Sequence, residues 1–130
     1  MSEIPGAVRE ALLAHADACL PNEACGYLVG DPETGRIDRF VPIQNAVASP
    51  TRFVFDPHEQ LAAERSIETA GERVVGIAHS HPTGAAQPSA VDVADATRFD
   101  PFGTLLHVVI APSSRDVRAF RILDGEITEA

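Results

Sequence analysis

His79-Ser80-His81-Pro82 is followed by Ser89 and, three residues later, Asp92. The two histidines sit two apart at the end of an apolar run. Strand alternation therefore puts both imidazoles on one face. A carboxylate at the start of the next element, Asp92, can close a third corner. Three nitrogen and oxygen ligands with an open fourth position describe a catalytic zinc site rather than a structural one. A structural site would be closed by four protein ligands, often thiolates, and the chain has only Cys19 and Cys25.

Each part also has an ordinary structural reading. A His-x-His pair alone can be a polar strand face. Ser89 and Asp92 alone form a capping box at a helix start. The two readings of Ser89 are compatible, because one hydroxyl can cap a helix and still border a site. The combination favours chemistry: the histidines end a buried strand, where ligands are commonly found, and a short glycine-bearing loop leads to Ser89.

The elements that must position these residues are legible in outline. Met1 leads, through Glu3, into a helix read over Ile4–Ala18, with Pro5 in its first turn and Val8, Ala11, Leu12 and Leu13 near one face. Pro21-Asn22 breaks it. Strands are expected over Gly26–Gly30, Arg36–Gln44 and Arg52–Phe55. Asp56-Pro57-His58-Glu59 carries cap, proline and acid in helix-opening order, and Gly71 ends that helix. Val74–Ala78 is an uninterrupted apolar strand that delivers His79 and His81. Ser89 to about Phe99 is a helix. Strands follow over Thr104–Ala111 and Asp116–Leu123, and the chain returns over Glu126–Glu129 after the Asp124-Gly125 turn. The order α-β-β-β-α-β-α-β-β with that return implies an α/β fold: one domain over residues 1–130, a mixed β-sheet flanked by helices.

Composition excludes several functions. Ten basic residues stand against 19 acidic ones, a net charge of −9, and every base is arginine. A Schiff-base lysine and a phosphate-loop lysine are excluded. Nucleic-acid binding is not expected without a basic face. Two cysteines in a chain of 130 residues read as reduced thiols, hence a cytoplasmic protein. No export signal or membrane-spanning run is read.

Seven residues separate His81 from Ser89, and the whole pattern resembles the JAMM (MPN+) metalloprotease motif. The resemblance implies that Glu23, in Pro21-Asn22-Glu23-Ala24-Cys25-Gly26, is the upstream general acid/base; taken alone, Glu23 would be an exposed loop carboxylate. It also implies layers like those of cytidine deaminases, although the His-x-Glu and Pro-Cys-x-x-Cys signature of a zinc deaminase is missing. The implied site is zinc on His79, His81 and Asp92, Glu23 carrying the proton, and Ser89 helping to stabilise the oxyanion. MPN domains often pair, so a homodimer is a further expectation.

Glu23-Ala24-Cys25-Gly26, Asn45-Ala46, Ser49-Pro50, Glu59-Gln60-Leu61 and Arg121-Ile122-Leu123-Asp124-Gly125 are similar to one bacterial branch. Its members release cysteine from the C-terminal Gly-Gly of a small ubiquitin-like sulfur-carrier protein. The alternatives are another JAMM peptidase or isopeptidase acting on ubiquitin-like conjugates, and a non-catalytic protein-binding MPN module. Residues 45–55 are expected to be either a flap that pairs with an extended carrier tail or an ordinary loop and edge strand. Asp95 is expected to sit away from the metal. His58 and His15 read as surface residues, and His107 as a satisfied core or face histidine. The thiols read as buried or half-buried, with a site-lining role open for Cys25.

Overall fold

The computed structural model describes residues 4–130; Met1 to Glu3, with the expected lead into the first helix, lie outside the described residues. The elements are α1 (Gly6–Cys19), β1 (Cys25–Asp31), β2 (Arg36–Ile43), α2 (Pro57–Thr69), β3 (Arg73–Ser80), α3 (Ala90–Phe99), β4 (Leu106–Ala111), β5 (Asp116–Leu123) and β6 (Glu126–Glu129).

The six strands form one mixed sheet in the order β2-β1-β3-β4-β5-β6. Only β3 and β4 run parallel, and α3 lies in the crossover that joins them. Both are buried almost throughout, as strands covered on both faces should be. Gly76 permits their close approach, because a Cβ there would lie 2.6 Å from the Leu106 carbonyl oxygen.

α1 lays Val8, Leu12, Leu13 and Ala16 against one sheet face, built from Leu28, Ile37, Val75, Ala78, Leu106, Val108 and Ile110. Ala16, rather than Ala11, completes the buried stripe of that helix. α2 places Ala63 and Ile67 on the opposite face, beside Tyr27, Val29, Ile43 and Ile77. Its start follows the sequence: the Asp56 carboxylate accepts the Glu59 N–H at 2.9 Å and Pro57 is the first helical residue. No described helix is long and apolar enough to cross a membrane.

Two local expectations fail. Arg52–Phe55 is not a strand; Phe55 makes only an isolated bridge to Asn45. Backbone groups of Arg52 and Val54 that would have joined a ladder bond instead to the Asn45 side-chain amide. β4 begins at Leu106 and not at Thr104, because the Asp100 carboxylate accepts the N–H groups of Thr104 (2.9 Å) and Leu105 (3.2 Å).

Candidate active site

The β3 strand ends at Ser80, so His79 lies in the last paired positions and His81 just past them. The register of β1 against β3 pairs Cys25 with His79. Antiparallel pairing therefore carries the residues before Cys25 to the side of the residues after His79. Ser80 N–H donates to the Ala24 carbonyl at 3.0 Å, and Ala24 N–H donates to Ser80 Oγ at 2.8 Å. This clamp sets Glu23 at the strand end, over 50 residues away in sequence from the histidines.

α3 supplies the acid. Ser89 Oγ accepts the Asp92 N–H at 3.1 Å and Asp92 Oδ2 accepts the Ser89 N–H at 2.8 Å, a complete capping box. The same Oδ2 lies 3.0 Å from His79 Nε2 and 3.1 Å from His81 Nε2. The two Nε2 atoms are 3.1 Å apart. The carboxylate that completes the capping box is thus the same one that meets both imidazoles.

These three atoms fit a metal ion. Their 3.0–3.1 Å separations are close to the about 3.3 Å spacing of tetrahedral donors at zinc distances. His81 Nδ1 lies 3.0 Å from the Ala85 carbonyl, which can only accept, so Nδ1 carries a proton, and an ion displacing the Nε2 proton would find that nitrogen's lone pair facing Asp92. The donor set, two imidazoles and a carboxylate, suits zinc among the transition metals. Among the described residues, His79, His81 and Asp92 form the one such cluster.

Charge in the site follows from burial and contact. Burial disfavours ionised Asp92, but the His79 and His81 hydrogen bonds, the His79 charge and the Ser89 N–H outweigh it, holding the acid far below the usual carboxylate range. Burial also opposes charge on His81, yet its bonds to Asp92 and the Ala85 carbonyl raise it net.

Glu23 is not an exposed loop acid. It is 3% exposed, and its Oε1 has no hydrogen-bond partner. Burial pushes its carboxyl up to about 7, with His81 pulling down and Asp92 pushing up. A carboxyl poised near neutrality can both take and give a proton. Glu23, His81, Thr51, Thr83 and Ser89 line one cleft of about 230 Å³. Because Ser89 Oγ already accepts from Asp92, its own proton is free to point elsewhere.

A larger cavity of about 690 Å³ is bordered by residues 52–55 of the same loop as Thr51. Tyr27, Phe53, Phe55, Ile77, Phe99 and Leu105 make it largely apolar, with Arg52, Glu64, Asp95 and Arg98 bordering it. Asp95 belongs there, ion-paired with Arg98, and not to the metal cluster. Phe53 stacks on His79, ring centroids 4.8 Å apart and planes 24° from parallel.

The remaining candidates settle as structural groups. His107 is buried and bonded to buried Asp100 at 2.9 Å. His58 is exposed, whereas His15 is half-buried and packs on Phe40, not solvent-facing as read. Burial pushes the Cys25 thiol up to about 12, and its Sγ donates to the Ile43 carbonyl at 3.3 Å. Sequence reasoning gave no role to Ser80, to Phe53 or to the Ala85 carbonyl. Ser80 carried one signal: strand alternation turns it away from the two histidines and into the core.

Comparison with known proteins shows the family and the fold. The family described as prokaryotic homologs of the JAB domain matches residues 5–123. A CysO-cysteine peptidase from Mycobacterium tuberculosis is 41% identical over 123 residues, covering 92% of this chain and 81% of that protein. A probable TtuB-protein conjugate cleaving protease from Thermus thermophilus is 31% identical over 124 residues, covering 95% and 77%. A solution structure of a Desulfitobacterium hafniense protein superposes with a TM-score of 0.85 at 34% identity, covering 100% of this chain and 90% of that one. On these matches the chain belongs to the prokaryotic JAB branch of the JAMM (MPN+) metallopeptidases.

Proposed function

We propose that this protein is a zinc-dependent amide hydrolase that cuts after the C-terminal Gly-Gly of a small ubiquitin-like sulfur carrier and releases cysteine. The observation that supports the chemistry is that Glu23, with one buried oxygen left unpartnered, shares a cleft with His81 and Ser89, and His81 in turn clusters with His79 and Asp92. The carrier reading is supported by the names of the relatives, a CysO-cysteine peptidase and a probable TtuB-conjugate protease.

His79 Nε2, His81 Nε2 and Asp92 Oδ2 would hold the ion. A bound zinc ion supplies a Lewis acid that polarises a carbonyl and lowers the pKa of a neighbouring water. Glu23 takes a proton from the water that attacks the glycine carbonyl. The C–N bond then breaks, and Glu23 returns that proton to the leaving amine nitrogen. Ser89 turns its hydroxyl proton to the oxyanion, and its backbone keeps Asp92 in place. The apolar cavity beside Phe53 accommodates the carrier's extended tail, with residues 45–55 as the flap that pairs with it.

The test is the intact mass of a carrier ending Gly-Gly-Cys after incubation with zinc-loaded protein, beside Glu23→Gln. Loss of one cysteine with the wild type alone is expected. A carrier left intact, alongside cleavage of a carrier joined through lysine, would move the assignment to deconjugation, which the Thermus thermophilus relative favours.

A further inference from the structure

Asn45 opens the loop between β2 and α2, and its side chain uses every hydrogen bond a primary amide can make. Nδ2 donates to the Glu23 carbonyl at 3.2 Å and to the Arg52 carbonyl at 3.1 Å. Oδ1 accepts the N–H groups of Val47 at 3.2 Å and Val54 at 3.0 Å. One side chain thus closes the loop on itself and ties it to the backbone of Glu23.

The loop holds Glu23 from its other side as well, since Glu23 N–H donates to the Ser49 carbonyl at 2.8 Å. The peptide group after Glu23 is gripped at both ends: Asn45 takes its carbonyl and Ser80 Oγ takes its N–H. The Glu23 carboxylate has no partner at Oε1 to aim it. With no hydrogen bond at that oxygen, its position depends on packing and on its backbone, and half of that backbone's hydrogen-bond support comes from the loop. The same loop lays Phe53 on His79.

From this geometry we infer that Asn45 is a positioning residue for Glu23, making the 45–55 loop and the proton-carrying carboxylate one rigid unit. A substrate segment that engages the loop then bears on Glu23 through the Asn45 amide. The inference rests on Glu23 as the proton carrier of the proposed reaction, and it differs from a purely local role in which Asn45 only shapes the loop.

Asn45→Asp separates the two. The substitution keeps an acceptor for Val47 and Val54 and removes both donor bonds, including the one to Glu23. Amide hydrogen exchange on the zinc-loaded protein is read first. Exchange at the Glu23 and Ala24 amides should rise about tenfold or more, while Val54 and the core amides of Leu28 and Val108 hold within about threefold. With a Gly-Gly-Cys carrier, kcat should fall about 10- to 100-fold while KM stays within about threefold, as expected for a misplaced catalytic group. Unchanged exchange at Glu23 and Ala24 would overturn the inference. If the charge of aspartate prevents folding, Asn45→Ala decides the same question: Glu23 and Ala24 must loosen there together with Val54. Loosening of Glu23 in a protein whose wild type leaves the carrier intact would reject the carrier substrate and keep the positioning role.

Discussion

The hydroxyl of Ser80 accepts the backbone N–H of Ala24 at 2.8 Å, and both residues are buried. Ser80 stands between the two histidines in sequence yet faces away from them, and through this bond it fixes the segment that carries Glu23. Ser80→Ala should leave the Ala24 N–H buried without a partner and lower stability by about 1–3 kcal/mol in denaturant titration. It should also slow turnover, since Glu23 loses part of its anchorage. A variant with wild-type stability would show that the clamp contributes nothing.

His79 and Asp92 are expected to hold the metal. His79→Ala and Asp92→Ala should each lower zinc content well below one ion per chain by elemental analysis after dialysis. Asp92→Ala also removes one half of the capping box around Ser89, so it should melt earlier than His79→Ala. Full zinc content in both would reject the ligand set.

Glu23 gives the metal-stripped protein a stability that depends on pH. In the folded chain its carboxyl titrates near 7, against 4.5 for an ordinary glutamate. Between those values the folded state binds the more protons, so stability falls as pH rises through this window. In the presence of a chelator, the loss in melting temperature between pH 4.5 and pH 8 should be smaller for Glu23→Gln than for wild type. Equal losses would mean that Glu23 is not desolvated in solution.

Ser89 combines a cap with a site position. Ser89→Ala should destabilise the protein by about 1 kcal/mol through the lost cap. Turnover should also fall by about one to three orders of magnitude, the scale of one oxyanion donor. Stability loss with full turnover would confine Ser89 to capping.

The local signals in the chain were strong wherever chemistry and secondary structure coincide. His79, His81, Ser89 and Asp92 lie within fourteen positions, on one strand end and the next helix start, so spacing alone specifies their common face and their cap. The mixed sheet and the order of helices and strands, apart from the strand expected over Arg52–Phe55, were legible for the same reason: they depend on period and turn residues.

Tertiary structure decided what depends on contacts between distant segments. Only the β1–β3 register turns Glu23 from a loop acid into a buried carboxyl beside His81. Only the folded loop lets the Asn45 amide take over the Arg52 and Val54 backbone groups that read as a strand. The Asp100 carboxylate likewise shortens β4 by capturing two N–H groups that alternation alone assigns to the ladder. For Asn45 and Asp100 a side chain competes with the backbone for the same hydrogen bonds, and for Glu23 a distant strand pairing sets burial; each is settled by three-dimensional proximity, which hydrophobic period does not encode.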